Sequence, residues 1–399
     1  MSESPWITII GLGEDGPDGL CGASREALED AEIVMGPARH LALLGQTDQE
    51  TLTWPVPFAD GLPLLAKLEG RRVAVLASGD PFWFGSGSVI ARHFREESWR
   101  AFPGRSTFSL AANALGWALE GTACLGLHAA PLPRMRPYLT SGAKLLVLLR
   151  DGAAVADLAA YLSALDFGES EINVFEALGG PRAGFSRFAA KSLPDKEFKN
   201  PVCAGIVVAG AGQSIAGVAG LPDAFFQSDG VMTKRIVRAI TLSALAPRAG
   251  ELLWDIGGGS GSVAIEWLLA HPTCSAISIE PRADRVALIR QNAGAMGVDR
   301  LDVVEGSAPK ALSDLQEPNA VFVGGGLSIS LLIALEGRLT AGTRLVANAV
   351  TLEAEALLSD AQKRLGGELL RLDVSQLKAL GAKRAWDHAY PIVQWSVVL

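Results

Sequence analysis

A glycine-rich stretch in the second half of the sequence is the strongest sign of a binding site. It consists of Asp255-Ile256-Gly257-Gly258-Gly259-Ser260-Gly261, after an apolar run typical of a strand and before a run typical of a helix. Glycine lets a backbone turn sharply and approach a ligand, and the amides that begin a helix favour a carboxylate or a phosphate. Glu280 ends the next predicted strand, where a carboxylate can accept both ribose hydroxyl hydrogens of a nucleoside. The predicted nucleoside site comprises Asp255, Gly257, Gly259, Gly261 and Glu280.

The spacing of the glycines in this loop does not by itself decide which ligand is bound. A dinucleotide fingerprint has the form G-x-G-x-x-G/A, whereas this loop has G-x-G-x-G. Hydride transfer is therefore a weaker alternative, as is a turn that binds nothing. Two further groups of small residues follow the next strands, Gly306-Ser307-Ala308 and Gly324-Gly325-Gly326. We predict that Gly306, Ser307 and Ala308 contact the base of the nucleoside.

Three elements of the first half indicate a second site. They are Gly11-Leu12-Gly13 after one apolar run, Ser78-Gly79-Asp80-Pro81 after another, and Pro103-Gly104-Arg105-Ser106-Thr107 before a helical stretch. Asp80, fixed by Pro81, can hold a turn whose backbone faces a ligand, and hydroxyl groups at a helix start can form hydrogen bonds with it. The alternative is that Asp80 and Ser106 only cap turns, and both interpretations can hold together. The predicted binding residues are Gly11, Gly13, Gly79, Asp80, Pro81, Ser106 and Thr107.

The elements that must position these residues alternate as strand and helix. In the first half, this rhythm indicates α/β architecture with largely parallel sheets. In the second half, five strands alternating with helices and a closing antiparallel pair predict a seven-stranded doubly wound sheet. The predicted strands are 6–10, 72–77, 144–149, 172–175, 202–208, 252–256, 276–280, 301–304, 320–323, 344–347, 369–374 and 392–398, and the main predicted helices are 86–94, 108–119, 153–165 and 231–246. We predict a first domain at 1–210, a linker at 211–228 and a second domain at 229–399.

Composition and charge exclude several classes of protein. The chain has 399 residues, of which 49% are apolar and 20% charged, with a net charge of −8. It is therefore too apolar to be disordered, and we expect no nucleic-acid partner. The five histidines are scattered and no Cys-x-x-Cys pair occurs, so we expect neither a metal site nor a disulfide. Residues 1–5 lack the basic start of a signal peptide, and glycines interrupt the uncharged run 200–221. We therefore expect no membrane segment and a cytoplasmic location.

The three first-half elements, in this order and spacing, resemble the tetrapyrrole methylase family over about residues 5–210. That family commonly has G-x-G-P-G at its first loop, whereas Glu14-Asp15-Gly16 follows Gly13 here. The loop at 255–261 resembles that of class I methyltransferases, which bind S-adenosylmethionine. The resemblances imply an N-terminal two-subdomain tetrapyrrole methylase fold and a C-terminal doubly wound class I methyltransferase (Rossmann-like) fold. They also imply one S-adenosylmethionine site in each domain.

The pairing of these domains resembles the fused, decarboxylating precorrin methyltransferases of cobalamin biosynthesis. Asp229–Arg235 and Trp254–Gly257 carry this resemblance in the second half, and Trp386–Tyr390 is a less diagnostic match. It implies that the N-terminal domain methylates carbon 5, and that the C-terminal domain methylates carbon 15 and removes carbon dioxide from the acetate on ring C. It also implies two molecules of S-adenosylmethionine per turnover and adds Thr233 to the cofactor site. No acid–base residue is identified.

A tetrapyrrole substrate carries many carboxylates, so we expect local basic residues in both clefts despite the net charge. For each candidate, a solvated basic face is the alternative. Lys234 and Arg238 are expected to share one helix face, and His388 beside Asp387 is expected to be structural. The candidates are Arg134, Arg136, Arg150, Arg182 and Arg187 in the first domain, and Lys234, Arg235, Arg238, Lys378, Lys383 and Arg384 in the second.

Two other functions are weighed against this one. A class I methyltransferase could act on RNA or protein, with the first half as a specificity module. Methyltransferases that act on base amines usually have [DN]-P-P-[YFW] after the fourth strand, and Val323-Gly324-Gly325-Gly326 stands there instead. A nucleoside-sensing regulator is the non-enzymatic alternative, and the two glycine-rich sites count against it. We also expect self-association through the C-terminal domain.

Overall fold

Alternate residues of the first strand pack into two different apolar cores. Ile7 and Ile9 belong to one core, and Ile10 and Leu12 to the other. A strand buried on both faces is typical of a parallel sheet covered by helices. The computed structural model describes residues 5–399, so the first four residues considered above for a signal peptide lie outside the described part.

The chain divides into two units. Unit 1 contains the residues up to Pro131 together with Tyr138–Gln213, and unit 2 contains Leu132–Pro137 and Ser214–Leu399. The first lobe of unit 1 is a parallel five-stranded sheet of order β3-β2-β4-β1-β5. Its elements are β1 Ile7–Leu12, α1 Gly22–Glu29, β2 Ile33–Gly36, α2 Ala38–Leu44, β3 Glu50–Thr53, α3 Gly61–Ala66, β4 Val73–Ser78, α4 Gly87–His93 and β5 Trp99–Phe102.

The second lobe of unit 1 is a mixed sheet of order β6-β7-β10-β8-β9. The prediction of largely parallel sheets is wrong here, because only β6 and β7 pair in parallel while the other three pairs are antiparallel. The chain passes from β8 to β9 through a short loop, which permits only an antiparallel pair. The elements are α5 Thr107–Leu115, β6 Thr122–Gly126, β7 Lys144–Leu149, α6 Ala154–Ala164, β8 Glu171–Glu176, β9 Gly184–Ala189 and β10 Val202–Val207.

Unit 2 contains the predicted seven-stranded sheet, with order β13-β12-β11-β14-β15-β19-β16 in the described chain. Five strands are parallel, and β19 pairs antiparallel with both β15 and β16, which confirms the closing antiparallel pair. The elements are α7 Arg235–Leu245, β11 Leu252–Ile256, α8 Ser262–Ala270, β12 Ser275–Glu280, α9 Ala283–Ala295, β13 Asp302–Glu305, β14 Ala320–Val323, α10 Ile329–Arg338, β15 Arg344–Ala349, α11 Leu352–Leu365, β16 Glu368–Leu372, β17 Ser375–Leu380, β18 Lys383–His388 and β19 Ile392–Val398.

Two predicted helices are too long. The helix predicted at 231–246 begins only at Arg235, because Lys234 before it is extended, and the Asp229 side chain accepts a hydrogen bond from the Val231 amide in the segment upstream. The helix predicted at 108–119 ends at Leu115, where Gly116 has a left-handed φ of 64°. A hairpin of β17 and β18 that the sequence analysis does not predict extends between β16 and β19. No helix between residues 5 and 399 has both the length and the apolar character needed to cross a lipid bilayer.

Candidate active sites

The glycine-rich loop of unit 2 lies at the carboxyl ends of the parallel strands and needs glycine at two turns. Gly257 has φ 75° and Gly259 φ 59°, in the left-handed region that other residues rarely adopt. A Cβ at Gly257 would lie 2.7 Å from the Gly325 amide nitrogen. The loops that follow β11 and β14 therefore touch through glycine backbones. Beside them lies a cavity of about 390 Å³.

Glu280 and Ser260 present polar groups at this cavity. Glu280 is buried, and its two carboxylate oxygens accept hydrogen bonds from the Gly259 amide at 3.0 Å and the Arg282 amide at 3.1 Å. A carboxylate has further lone pairs, so Glu280 can still accept ribose hydroxyl hydrogens. The Ser260 hydroxyl is buried and has no hydrogen-bond partner among residues 5–399. A buried group of this kind calls for an explanation, and a ligand in the cavity supplies one.

Most of the predicted second-half cofactor residues line this cavity. Gly261 does not line the cavity, because it lies at the start of α8, next to α9. A Cβ at this position would lie 2.9 Å from Ile289 Cγ2, so helix packing explains why the residue is glycine. Burial raises the pKa of Asp255 to about 7, with the charge of Glu280 acting in the same direction and the hydrogen bond from Ser278 opposing it. The predicted residues that line the cavity are Thr233, Asp255, Gly257, Gly259, Glu280, Gly306, Ser307 and Ala308.

Unit 1 has its own cavity, of about 330 Å³, beside three strand ends. A Cβ at Gly11 would overlap Gly79 O and Gly104 N, and the Gly104 amide donates to Gly79 O at 3.0 Å. Gly11 therefore shapes the strand ends, and neither Gly11 nor Pro81 lines the cavity. The predicted residues that do line it are Gly13, Gly79, Asp80, Ser106 and Thr107.

Asp80 and Ser106 also cap turns. Asp80 accepts a hydrogen bond from the Phe82 amide at 2.8 Å, and Ser106 accepts one from the Ser109 amide at the start of α5 at 3.0 Å. The prediction that the Asp80 and Ser106 side chains cap turns is therefore confirmed. Since both residues also line the cavity, capping leaves a binding role open.

An aromatic wall completes the unit 1 cavity. Trp83, Phe84 and Phe108 line it, with the Trp83 and Phe108 ring centroids 5.0 Å apart. Phe84 has φ 57°, a conformation that is costly for a bulky residue and is found mainly at functional sites. These aromatic residues are not among the predicted site residues, although Phe82-Trp83-Phe84 directly follows Pro81.

A cluster of charged groups beside this cavity contains one predicted residue, the basic candidate Arg182, and three that are not predicted: Glu14, Arg39 and His40, which line the cavity. Buried Glu14 pairs with Arg39, and on its other oxygen with Arg182 at 3.0 Å. Arg39 Nη2 is 2.8 Å from His40 Nε2 and 3.0 Å from Ser78 Oγ. Burial lowers the pKa of His40 to about 4, and the charge of Arg39 lowers it further. These residues come from distant parts of unit 1, so only the fold brings them together.

Two basic candidates are corrected by the structure. Arg238 has no exposed surface, and it pairs with Glu266 at 2.6 Å and with Asp223 at 3.1 Å. It therefore lies in the core and does not share an exposed face with Lys234. Arg136 is also buried, with its Cζ 5.6 Å from the Phe225 ring centroid. Neither guanidinium can bind a substrate in this arrangement.

The other basic candidates stay predictions. Among them, Lys234 lines the unit 2 cavity, and Arg235 donates to Gly220 O at 2.8 Å. Arg150 pairs with Asp151 on the surface. Further ion pairs join Arg134 to Asp299, Arg187 to Glu171, and Lys378 to Asp387. His388 Nδ1 is 2.7 Å from Ser375 Oγ in the exposed hairpin, and Lys383 and Arg384 are in β18.

Comparison with known proteins agrees with this architecture. The family model of the Tetrapyrrole (Corrin/Porphyrin) Methylases matches residues 7–187, and that of the Precorrin methyltransferase domain matches residues 224–399. A precorrin-6Y C(5,15)-methyltransferase (decarboxylating) of Sinorhizobium sp is 46% identical over 98% of this chain and 96% of the relative. One of Mycobacterium tuberculosis (strain ATCC 25618 / H37Rv) is 38% identical over 98% of this chain and 99% of the relative.

A solved structure also matches. The crystal structure of the C-terminal domain of precorrin-6Y C5,15-methyltransferase from Rhodobacter capsulatus is 52% identical and covers 46% of this chain and 100% of that chain, with a TM-score of 0.45. Family membership rests on the relatives that match over nearly their whole length. The chain belongs to the family of the precorrin-6Y C(5,15)-methyltransferases (decarboxylating).

Proposed function

We propose that this chain methylates a precorrin at carbons 5 and 15 and removes carbon dioxide from the acetate on ring C, within cobalamin biosynthesis. The observation that carries this proposal is that each unit has its own cavity beside glycine loops at strand ends. The near full-length relatives support it. Mass spectrometry of the corrinoid product tests it. We expect a gain of two methyl groups and the loss of one carbon dioxide, and a product without added methyl groups would refute the proposal.

We propose that each unit binds one S-adenosylmethionine, so that two are used per turnover. In unit 2, the residues fit this cofactor because Glu280 can accept ribose hydroxyl hydrogens and the Ser260 hydroxyl lacks a protein partner within the described chain. In unit 1, Gly79 and Thr107 line a cavity with an aromatic wall suited to a planar group. Calorimetry should detect two sites per chain, and a single site would contradict this stoichiometry.

When bound, S-adenosylmethionine supplies a methyl group on a sulfonium, which leaves without acid–base help. The chain must therefore hold an electron-rich ring carbon in line with that methyl group, and such positioning accounts for a large part of a rate enhancement. In unit 1, the rings of Trp83, Phe84 and Phe108 form a wall against which a flat macrocycle can be held. We propose that these rings orient the substrate.

We assign methylation of carbon 5 to unit 1, and methylation of carbon 15 with decarboxylation to unit 2. The match of residues 224–399 to a precorrin methyltransferase domain supports a precorrin site in unit 2. Decarboxylation needs an electron sink, which the conjugated macrocycle provides, and a carboxylate deprived of water. In the full-length chain, a variant with a disabled unit 2 site should yield product that keeps its ring C acetate. Decarboxylation by that variant would overturn the assignment.

We propose that unit 2 self-associates through its sheet edge and hairpin. Edge strand β16 exposes Leu369 and Leu370, and the hairpin exposes Leu377, Leu380 and Trp386. Exposed edges and apolar patches of this kind favour association. Light scattering should show an oligomer for the wild-type chain and a smaller species for Trp386→Lys. A monomeric wild-type chain would refute the proposal. The cytoplasmic location and the absence of a nucleic-acid partner stay predictions.

A further inference from the structure

Glu14 is a buried carboxylate shared by two arginines. One of its oxygens pairs with Arg39 in the first turn of α2, and the other pairs with Arg182 at 3.0 Å in the loop between β8 and β9. Only 7% of the Glu14 side chain is exposed, against 38% for Arg39 and 58% for Arg182. We name Arg39, Glu14 and Arg182 the arginine triad. Its formal charge is +1, so one positive charge has no counter-ion within the triad.

Two members of the triad face the cavity of unit 1. Arg39 and Glu14 line the unit 1 cavity, whereas Arg182 does not. Arg105, which also lines it, is neutralised by Asp15. Asp80 accepts a hydrogen bond from the Phe82 amide and forms no ion pair within residues 5–399. Among the residues that line the cavity, Arg39 is therefore the cation that shares its counter-ion, Glu14, with a second arginine.

The neighbours of Arg39 fix its guanidinium without neutralising it. Arginine only donates hydrogen bonds, so His40 Nε2 must accept the one from Arg39 Nη2, and the imidazole is neutral. Burial, which lowers the pKa of His40 to about 4, agrees with this. The bonds to Glu14, His40 and Ser78 use three of the five N–H groups of Arg39. Two N–H groups lack an acceptor in the described chain.

We propose that Arg39 binds a carboxylate of the ligand in the unit 1 cavity, and that Glu14 and Arg182 are positioning residues that set the orientation and net charge of this guanidinium. A carboxylate is the group that matches a guanidinium in shape and charge. The proposal deepens the proposed function, and rests on it for the identity of the ligand. Two carboxylates qualify there: a side chain of the tetrapyrrole, and the methionine carboxylate of the cofactor.

The test uses full-length variants and two equilibrium probes. Uroporphyrin, a tetrapyrrole with carboxylate side chains, is titrated by fluorescence, and S-adenosylhomocysteine is titrated by calorimetry. The unit 2 site is an internal control in both titrations. We expect Arg39→Gln to lower the affinity for one of the two probes by about 10- to 100-fold, which is the effect expected for loss of a hydrogen bond to a charged group. The matched control is Arg71→Gln, because Arg71 also pairs with two carboxylates, Glu32 and Glu50, but outside the cavity.

Charge variants of the triad separate positioning from a merely structural role. Arg182→Gln lowers the triad charge from +1 to 0. Although Arg182 does not line the cavity, this change should lower the affinity for the same probe on the order of 5-fold. Adding Glu14→Gln to Arg182→Gln restores +1, and should bring the affinity back toward the wild-type value. A structural role predicts the opposite, because the double variant removes more native contacts. Circular dichroism checks that each variant is folded.

Each outcome has a defined meaning. Loss of uroporphyrin binding alone supports the proposal with a tetrapyrrole carboxylate, and loss of S-adenosylhomocysteine binding alone supports it with the cofactor carboxylate. Unchanged binding of both probes in folded Arg39→Gln overturns the proposal, as does equal weakening of both probes or a double variant that binds more weakly than Arg182→Gln. Both titrations are independent of turnover, so a failure of the proposed function would appear in the product mass while these results stand.

Discussion

At the scale of single residues, buried ion pairs decide which charged side chains can act on a ligand. Arg238 donates to Glu266 at 2.6 Å inside unit 2, and Glu266 also accepts the amides of Gly220 and Leu221. This network joins α7 and α8 to the segment that precedes α7. A replacement that removes one partner leaves the other charge buried and without its counter-ion. Arg238 is therefore a stability residue.

Arg238→Met should destabilise unit 2 by about 3–5 kcal/mol, the usual cost of breaking a buried pair. Arg235→Met is the matched control, because exposed Arg235 makes one hydrogen bond to Gly220 O and should cost less than about 1.5 kcal/mol. Urea unfolding of both variants measures the free energies. Adding Glu266→Gln to Arg238→Met should recover part of the loss. Equal stability of the two single variants would contradict the structural role of Arg238.

His40 predicts a pH dependence of stability in unit 1. Its pKa is about 4 in the folded chain against 6.5 for an unperturbed histidine, so the unfolded state binds more protons between these values. Stability therefore rises with pH across this window, and is lost as the pH falls from 6.5 to 4, by roughly 3 kcal/mol. His40→Gln should lack this part of the slope in urea unfolding measured from pH 4 to 8.

Asp255→Asn provides a control of opposite sign for the pH experiment. The pKa of Asp255 is raised from 3.8 to about 7, so the folded state binds more protons, and this group lowers stability as the pH rises from about 4 to 7. Its replacement should remove a falling slope, whereas His40→Gln removes a rising one. Parallel pH profiles for wild type and His40→Gln would show that His40 is not buried as a neutral group.

At the scale of elements, the sequence predicts several buried strands to the residue, but it misses the buried β2 and most of the exposed strands. The bounds of β7, β11, β14 and β19 agree with the predicted ranges, because an unbroken apolar run between turns has few other interpretations. The exposed strands β17 and β18 carry no such run. Neither does β9, whose residues are half-buried. Such strands depend on their partners, which a local pattern does not contain.

The candidate sites divide in the same way. The glycine loops were predictable because a left-handed turn at a strand end requires a particular residue type. The arginine triad was not, since Glu14, Arg39 and Arg182 meet only when both lobes of unit 1 have formed. Arg238 was misassigned because its spacing from Lys234 suggested a shared helix face, while Lys234 actually precedes the first turn of α7.

Gly257→Ala tests the close approach of the two glycine loops. The new Cβ would lie 2.7–3.0 Å from the backbone of Gly325, in addition to the cost of a left-handed conformation, roughly 1–2 kcal/mol. We expect calorimetry to show loss of cofactor binding by unit 2. Gly342→Ala is the control, because Gly342 also has a positive φ, of 92°, but no atom of the described chain lies within 4 Å of its Cβ position. Gly342→Ala should lower the stability but leave cofactor binding unchanged. Equal cofactor affinity of Gly257→Ala and Gly342→Ala would refute the packing argument.

At the scale of the whole molecule, the two units have separate cores and separate cavities. Within residues 5–399, the apolar clusters of unit 1 and of unit 2 share no residue, and no residue lines both the unit 1 and the unit 2 cavity. Each cavity depends on glycines of its own unit. If each binds its own cofactor, a substitution that closes one site should leave the affinity of the other unchanged.

Gly79→Ala and Gly257→Ala close the two sites separately. A Cβ at Gly79, whose φ is 53°, would lie 2.9 Å from Arg105 O, which matches the crowding expected at Gly257. Calorimetry with S-adenosylmethionine should give two sites for the wild-type chain, one for each single variant and none for the double variant. Because the two substitutions share no contact, the remaining site should keep its dissociation constant within about twofold, as expected for independent sites. Loss of both sites in either single variant would show instead that the units are coupled, and that one cofactor site requires the other to be intact.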